Sequence, residues 1–431
     1  MSSGQSGLRH AFTALQSADY RWFSLSLLLT SLGAQLLQIA VLWQVYVLTG
    51  SALLLGLTGL ARAVPHIILS LVGGVIADRV DRVRLIQVGQ IGNAVLVLVL
   101  AGLTFAGGVQ MWHLYAITVL NAALTALTQP ARTALIPRLV PGTNLVNAIG
   151  LNATIQQVSQ IVGPALAGIA IDVFGLGWTY AVNGTTYLVA MAAIAAIRVG
   201  TAPPAPVGTR EGPWQSFMEG MRFVGARPAI VSLLALDVGA TLLGSYRALL
   251  PLVATALDVG STGFGVLSGS PGVGSLVGAA FILSRGDMRY KGLYTVAGVL
   301  GYCVALALLA VSPSFLVAAL AAALLGATNS IQMIPRNSAI LAMSPDALRG
   351  RVEAFRSMLA GGAPPLGYTL SGILATAFGT PLALLLGAGA CVAFVGLIVA
   401  TRRVLRDPEL GMTPPPASAT RRGVPSETSR V

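Results

Sequence analysis

Charge is what this sequence most lacks. Only 9% of its 431 residues are Asp, Glu, Lys or Arg, where a soluble chain carries about 25%. A water-facing surface cannot be assembled from that stock, so a soluble globular protein is excluded. Lysine occurs once, as Lys291. Cysteine occurs twice, as Cys303 and Cys391, each inside an apolar run. That excludes a disulfide framework and leaves two small buried side chains. Walker motifs, metal-ligand spacings and nucleophile elbows are missing, so neither a nucleotide-driven pump nor an enzyme is expected, and no cofactor or metal.

What is present is apolar: 55% of the residues are hydrophobic. They fall into twelve runs of membrane-spanning length between residues 23 and 401, a bilayer core needing about 20 helical residues. The expected class is an all-α polytopic membrane protein of twelve transmembrane helices. The first run, 23–48, is too long for the apolar core of a signal peptide and stays as span 1. The net charge of +12 comes in short arginine groups between the runs, without interleaved aromatics. Contact with anionic lipid headgroups is expected, and nucleic acid is not.

With the N-terminus in the cytoplasm, 24 of the 26 Lys and Arg residues fall on the inner side. The other two, Arg62 and Arg247, lie within spans. This asymmetry predicts cytoplasmic termini and an even number of crossings. The stretch opening "TAPPAPVGTREGPW" reads as a cytoplasmic linker over 201–228, and the Pro/Ser/Thr-rich residues 406–431 read as a disordered tail.

The segments 1–200 and 229–405 repeat. A shift of 204 positions carries Arg132 onto Arg336, Pro141 onto Pro345, Gly163 onto Gly367, Gly168 onto Gly372 and Phe174–Gly175 onto Phe378–Gly379. Two six-helix bundles related by an axis along the membrane normal are predicted, with a substrate site between them near the midplane.

The charges cluster most tightly in "GGVIADRVDRVRLI", residues 73–86, between spans 2 and 3. Gly74, Asp78, Arg79, Arg82 and Arg84 there resemble the loop signature G-x-x-x-D-R-x-G-R-(R/K) of the major facilitator superfamily. Asp81 stands where glycine is usual. The resemblance implies a latch: Asp78 at the N-terminus of span 11, where the helix dipole favours an acid, with arginines at the headgroups. Span 5 carries "SQIVGPALAGIAI", whose Gly163, Pro164 and Gly168 resemble the superfamily's antiporter motif. Small residues and a proline there allow close packing and a loosened helix. Other stretches, "PARTALIPRLVP" and "LRGRV" among them, resemble the siderophore-exporter and multidrug-efflux branch. That resemblance covers the chain to about residue 406 and implies a monomeric exporter in a bacterial inner membrane, exchanging its substrate for protons. Where the branch often has an aspartate in span 1, this chain has Ala34.

Ionisable residues inside spans are functional candidates, because each costs roughly 2.5–3.5 kcal/mol to insert. Asp237, Arg62, Arg247 and Glu353 are the candidates for proton or ion coupling. A fixed ion pair between Asp237 and an arginine is the structural alternative. Asn329, Gln332 and Arg336 share one face of span 10 at i, i+3 and i+7, and Gln35 and Gln38 share a face of span 1. With Thr125, Trp43, Tyr46 and Tyr246 they form the expected substrate-cavity lining. The function expected is secondary active export of a small amphipathic molecule (a siderophore, antibiotic or drug-like compound). Alternatives on the same fold are a lysophospholipid or other lipid transporter or flippase, an importer, or a non-transporting membrane scaffold.

Overall fold

A computed structural model describes residues 13–198, 213–286, 288–402 and 410; the side chains of 70–75, 77–79, 213–217 and 346–347 fall outside that description. Among the described residues the chain is helical throughout, with no strand. The first bundle comprises α1 (Ala18–Thr49), α2 (Ala52–Arg79), α3 (Arg82–Phe105), α4 (Met111–Leu139), α5 (145–174) and α6 (176–195). A helix not expected from the sequence, α7 (Pro213–Gly225), follows. The second bundle comprises α8 (Pro228–Leu243) with α9 (Leu250–Ala256), then α10 (Gly260–Ser284), α11 (Lys291–Ala310), α12 (Phe315–Ala342), α13 (Asp346–Phe378) and α14 (Thr380–Thr401).

Among the described residues, ten stretches are long and apolar enough to cross a bilayer on length and composition alone. The one over Gly142–Ala195 holds two crossings, and α13 supplies the twelfth. The protein is therefore an all-α, twelve-span membrane protein. Val88, Ile91, Val95 and Val99 of α3 make one of its exposed apolar stripes, spaced to share a helix face. In a bilayer such a stripe meets lipid.

Helix ends follow local chemistry. The Ser17 side chain accepts the Tyr20 N–H at 3.4 Å and caps α1. Asp81, the residue that departs from the loop signature, caps α3 by accepting the Arg84 N–H at 3.0 Å. Span 7, whose apolar run is continuous over 229–256, is broken as a helix. Gly244–Tyr246 leave the helix before a short turn at Arg247–Leu249. The Tyr302 hydroxyl donates to the Gly244 carbonyl at 2.8 Å, and Pro251 has no N–H to continue the ladder. The linker also departs from expectation, because α7 occupies its second half. Its Val224 is buried beside Ile230, and Glu219 pairs with Arg351 of α13.

The duplication is visible in the backbone. Gly175, between α5 and α6, has φ 79° and ψ 170°; Gly379, between α13 and α14, has φ 81° and ψ 159°. These positions are 204 apart, and their conformation is open essentially only to glycine. Each lets two helices reverse direction without an intervening loop.

Packing between the bundles is also duplicated. A Cβ on Gly168 would lie 2.9 Å from the Gly265 Cα, joining α5 to α10. A Cβ on Gly372 would lie 2.8 Å from the Gly56 Cα, joining α13 to α2. Backbones touch at both crossings, which only small residues permit. Both lie near the arginine-poor ends of their helices. One hydrophobic cluster there draws on both bundles, with Trp43 stacked on Phe264 at 5.7 Å and 19°. In the other half the core divides. One cluster belongs to the first bundle, around Tyr20, Ile86 and Leu135, and another to the second, around Ile230, Val299 and Cys391. The bundles are thus sealed together on the arginine-poor side and keep separate cores on the arginine-rich side.

Candidate functional site

A cavity of about 800 Å³ begins where the shared cluster ends, lined from both bundles. Of the residues expected there, Gln35, Gln38, Thr125, Tyr246, Asn329 and Gln332 line it. The i, i+3 spacing on α1 and α12 presents each pair on one helix face, and the Gln332 amide donates to Asn329 Oδ1 at 3.0 Å. Gly163 lies under Gln35: a Cβ there would approach the Gln35 Cβ to 2.6 Å. Pro164 and Gly168 continue along α5 against α10.

Three expected lining residues sit elsewhere. Trp43 and Tyr46 pack on the shared cluster, with ring centroids 5.6 Å apart. They close the arginine-poor end and do not line the cavity. Arg336 is 3% exposed and forms an ion pair with Asp237, also buried, one helical turn along α12 and α8 from the lining residues Gln332 and Thr241. The partner of Asp237 is thus Arg336 and not Arg247. Glu353 pairs with Arg356 one turn along α13, and Arg356 lies within electrostatic reach of Asp237.

Among the described residues, the matching arginine of the first bundle has no such pair. Arg132, which repeats Arg336, is 7% exposed and donates to the Thr30 hydroxyl at 3.3 Å. Gln90 also donates to Thr30, at 2.7 Å. Both arginines therefore lie inside the bundles, toward the arginine-rich ends of α4 and α12. They sit about two turns from the helix ends.

Arg62 and Arg247 do reach the cavity. Arg62 Nη1 donates to Gln38 Oε1 at 2.6 Å. Arg247 lies on the turn that breaks span 7, among the phenols of Tyr246, Tyr302 and Tyr368. The sequence reading missed His66, Asn121, Gln157, Gln160, Ser245, Ser275 and Tyr368 in the lining. A signal existed for some: His66 follows Arg62 by one turn, and Gln157 and Gln160 are i, i+3 on α5. Gln157 donates across the bundle interface to Ser275 Oγ at 2.6 Å, and the Thr369 hydroxyl donates to the Gly56 carbonyl at 3.0 Å.

Of the loop residues, Arg82 is buried and donates to the Ala134 carbonyl at 3.0 Å, tying α3 to α4. Arg84 is exposed. The side chains of Gly74, Asp78 and Arg79 lie outside the described residues. Among the described residues no group of His, Cys, Asp and Glu could hold a metal ion.

Two sealed six-helix bundles around a polar midplane cavity define a transporter of the major facilitator type. The transmembrane secretion effector model of that superfamily matches residues 9–416, and the chain belongs to that family. The chain is similar to the enterobactin exporter EntS of Shigella boydii serotype 4 (strain Sb227), 24% identical over 376 residues, covering 86% of this chain and 88% of that one. The same figures hold for EntS of Escherichia coli O127:H6 (strain E2348/69 / EPEC). Among solved structures, nucleoside transporter NupG superposes with a TM-score of 0.69 at 14% identity, over 89% of this chain and 98% of that one. A D-xylose-proton symporter gives 0.68 at 14%, over 88% and 96%. At such identity these structures establish the fold alone.

Proposed function

We propose that this chain is a secondary active exporter of a small amphipathic molecule, driven by proton antiport and working by alternating access. The observation that carries the reading is the polar cavity of about 800 Å³ between the bundles, at the point where their shared core ends. A substrate held there touches both bundles, so rocking one against the other moves its access from one face to the other. The segments 1–200 and 229–405 are the rocking units. The arginine-rich face, with both termini, is cytoplasmic, in a bacterial plasma membrane. The cavity therefore waits for substrate from inside.

Asp78 and its arginine neighbours latch the cytoplasmic side when it closes. Asp237 is the proton carrier: releasing Arg336 on protonation would uncouple α8 from α12. Export, and not import, is supported by Gly163, Pro164 and Gly168 on the interface face of α5, and by relatives named as enterobactin exporters. A siderophore of that kind is the first candidate substrate. The test is accumulation of siderophores and dyes in cells with and without the chain, each with and without an uncoupler. Uncoupler-sensitive depletion is expected; equal accumulation for every compound would end the reading.

One feature favours a lipid transporter instead, a groove of about 620 Å³ between α2 and α4 lined by Leu57, Leu60, Val64, Ile68 and Val119. Movement of a labelled lysophospholipid, without movement of any siderophore or dye, would select that reading.

A further inference from the structure

Among the described residues the cavity is lined by two arginines, Arg62 and Arg247, and by no carboxylate. The nearby acids are spent elsewhere: Asp237 on Arg336, and Glu353 on Arg356. Among the described residues, neither cavity arginine has an ion-pair partner. Gln38 and the surrounding tyrosines solvate these cations without neutralising them. Two uncompensated positive charges at mid-membrane are costly, and a low-dielectric wall strengthens their field over the cavity.

The two arginines come from different bundles. Arg62 is on α2, and α2 packs against the Arg247–Leu249 turn. Span 7 is interrupted at that turn, and broken helices at a midplane site are where transporters commonly hold charged groups. The remaining lining supplies neutral amides and hydroxyls, with His66 a turn beyond Arg62. From this arrangement we infer that the transported molecule is an organic anion, its acidic group held between Arg62 and Arg247 and its uncharged polar groups by the surrounding amides. This deepens the exporter reading and rests on it for the word transported. The grip depends on the seam between the bundles, so rocking that parts α2 from the span 7 turn also releases the anion. Cations of equal size are excluded by the same field.

The test uses the full chain in neutral phosphatidylcholine nanodiscs. Two probes share one xanthene ring system and differ in charge: fluorescein as the anion and tetramethylrhodamine ethyl ester as the cation. Binding is read by fluorescence anisotropy. Wild type should bind fluorescein at least roughly tenfold more tightly than the cation, and weaken with added salt. Arg62→Gln and Arg247→Gln should each lose roughly tenfold or more of the anion affinity. Arg62→Lys, which keeps the charge, should retain most of it and serves as the folded control. Equal or tighter binding of the cation overturns the inference, as does unchanged fluorescein binding in both Gln variants, or no fluorescein binding by wild type. The exporter reading is judged separately in cells. Anion binding without any export sinks that reading and leaves the anion site standing. Uncoupler-sensitive export of cations alone does the reverse.

Discussion

Gly56 and Gly372 lie backbone against backbone where α2 crosses α13, so close that a methyl group on Gly372 would come within 2.6 Å of the Ala52 carbonyl oxygen. Gly168 and Gly265 repeat the arrangement in the other half of the seam, where a Cβ on Gly168 would lie 2.5 Å from the Ser261 carbonyl oxygen. The obstacles are main-chain atoms, which cannot rotate away as a flexible side chain can. These two crossings seal the arginine-poor side.

Gly168→Val should therefore hold that side ajar. Export is expected to fall to below about a tenth of wild type, in line with the loss of a well-packed contact worth over 1.4 kcal/mol. A reporter cysteine at Ser245, a cavity residue, should become reactive to a membrane-impermeant maleimide from the arginine-poor side. The native thiols Cys303 and Cys391 are buried and should stay silent. Unaltered labelling in a well-expressed variant would refute this account of the seal.

Asp237→Asn leaves the Arg336 guanidinium buried without its counter-charge. Breaking one partner of a buried pair costs about 3–5 kcal/mol, so the thermal midpoint in detergent should drop clearly. Replacing both residues, Asp237→Leu with Arg336→Leu, should recover most of that loss. If Asp237 also carries the proton, the double variant will be stable yet unable to perform uncoupler-sensitive export. A stable double variant with normal coupled export would assign the pair to structure alone.

Gly175→Ala and Gly379→Ala each place a side chain at a backbone conformation that disfavours it, for about 1–3 kcal/mol. Gly50 also has positive φ, at 60°, but its ψ of 5° lies toward the left-handed helical region, with nothing near a Cβ. Gly50→Asn should be tolerated, since asparagine visits that region. Melting curves of the three variants check the ranking: the first two low, the third close to wild type.

Gly220 of α7 packs on the backbone of Arg351, where a Cβ would lie 2.9 Å from the carbonyl oxygen. Gly220→Leu should lift α7 off α13 and expose the linker. Trypsin should then cut between the bundles several-fold faster, with cleavage at Arg222 or Arg227. Glu219→Gln, which removes only a partly exposed ion pair, should change the rate little, since such pairs are worth about 0–1 kcal/mol.

The hinge glycines show how legible a duplication is. The 204-residue shift paired Phe174–Gly175 with Phe378–Gly379, and the two glycines share one backbone conformation. The polar stripes were legible for a similar reason. A helix converts i, i+3 spacing into a shared face, so Gln35 with Gln38 and Asn329 with Gln332 line the cavity together. Trp43 was not legible in this way. It lies on the same helix as Gln38, five residues on, and only the approach of Phe264 from the other bundle makes it part of the seal. For Arg132 and Arg336 the sequence showed a place near the inner end of a span but not the partner, which the approach of Thr30 and Asp237 decides.

Composition and periodicity alone determined that the chain is helical, spans a membrane twelve times and is built twice over. Those properties come from the solvent preference of each run and from helix geometry, both of which are local. Only the tertiary structure decided which charges are neutralised and which face the cavity. Asp237 and Arg247 both lie in span 7, yet one is paired with α12 and the other lines the cavity. Such pairing is settled by distances between helices more than twenty positions apart in sequence, and no local pattern encodes them.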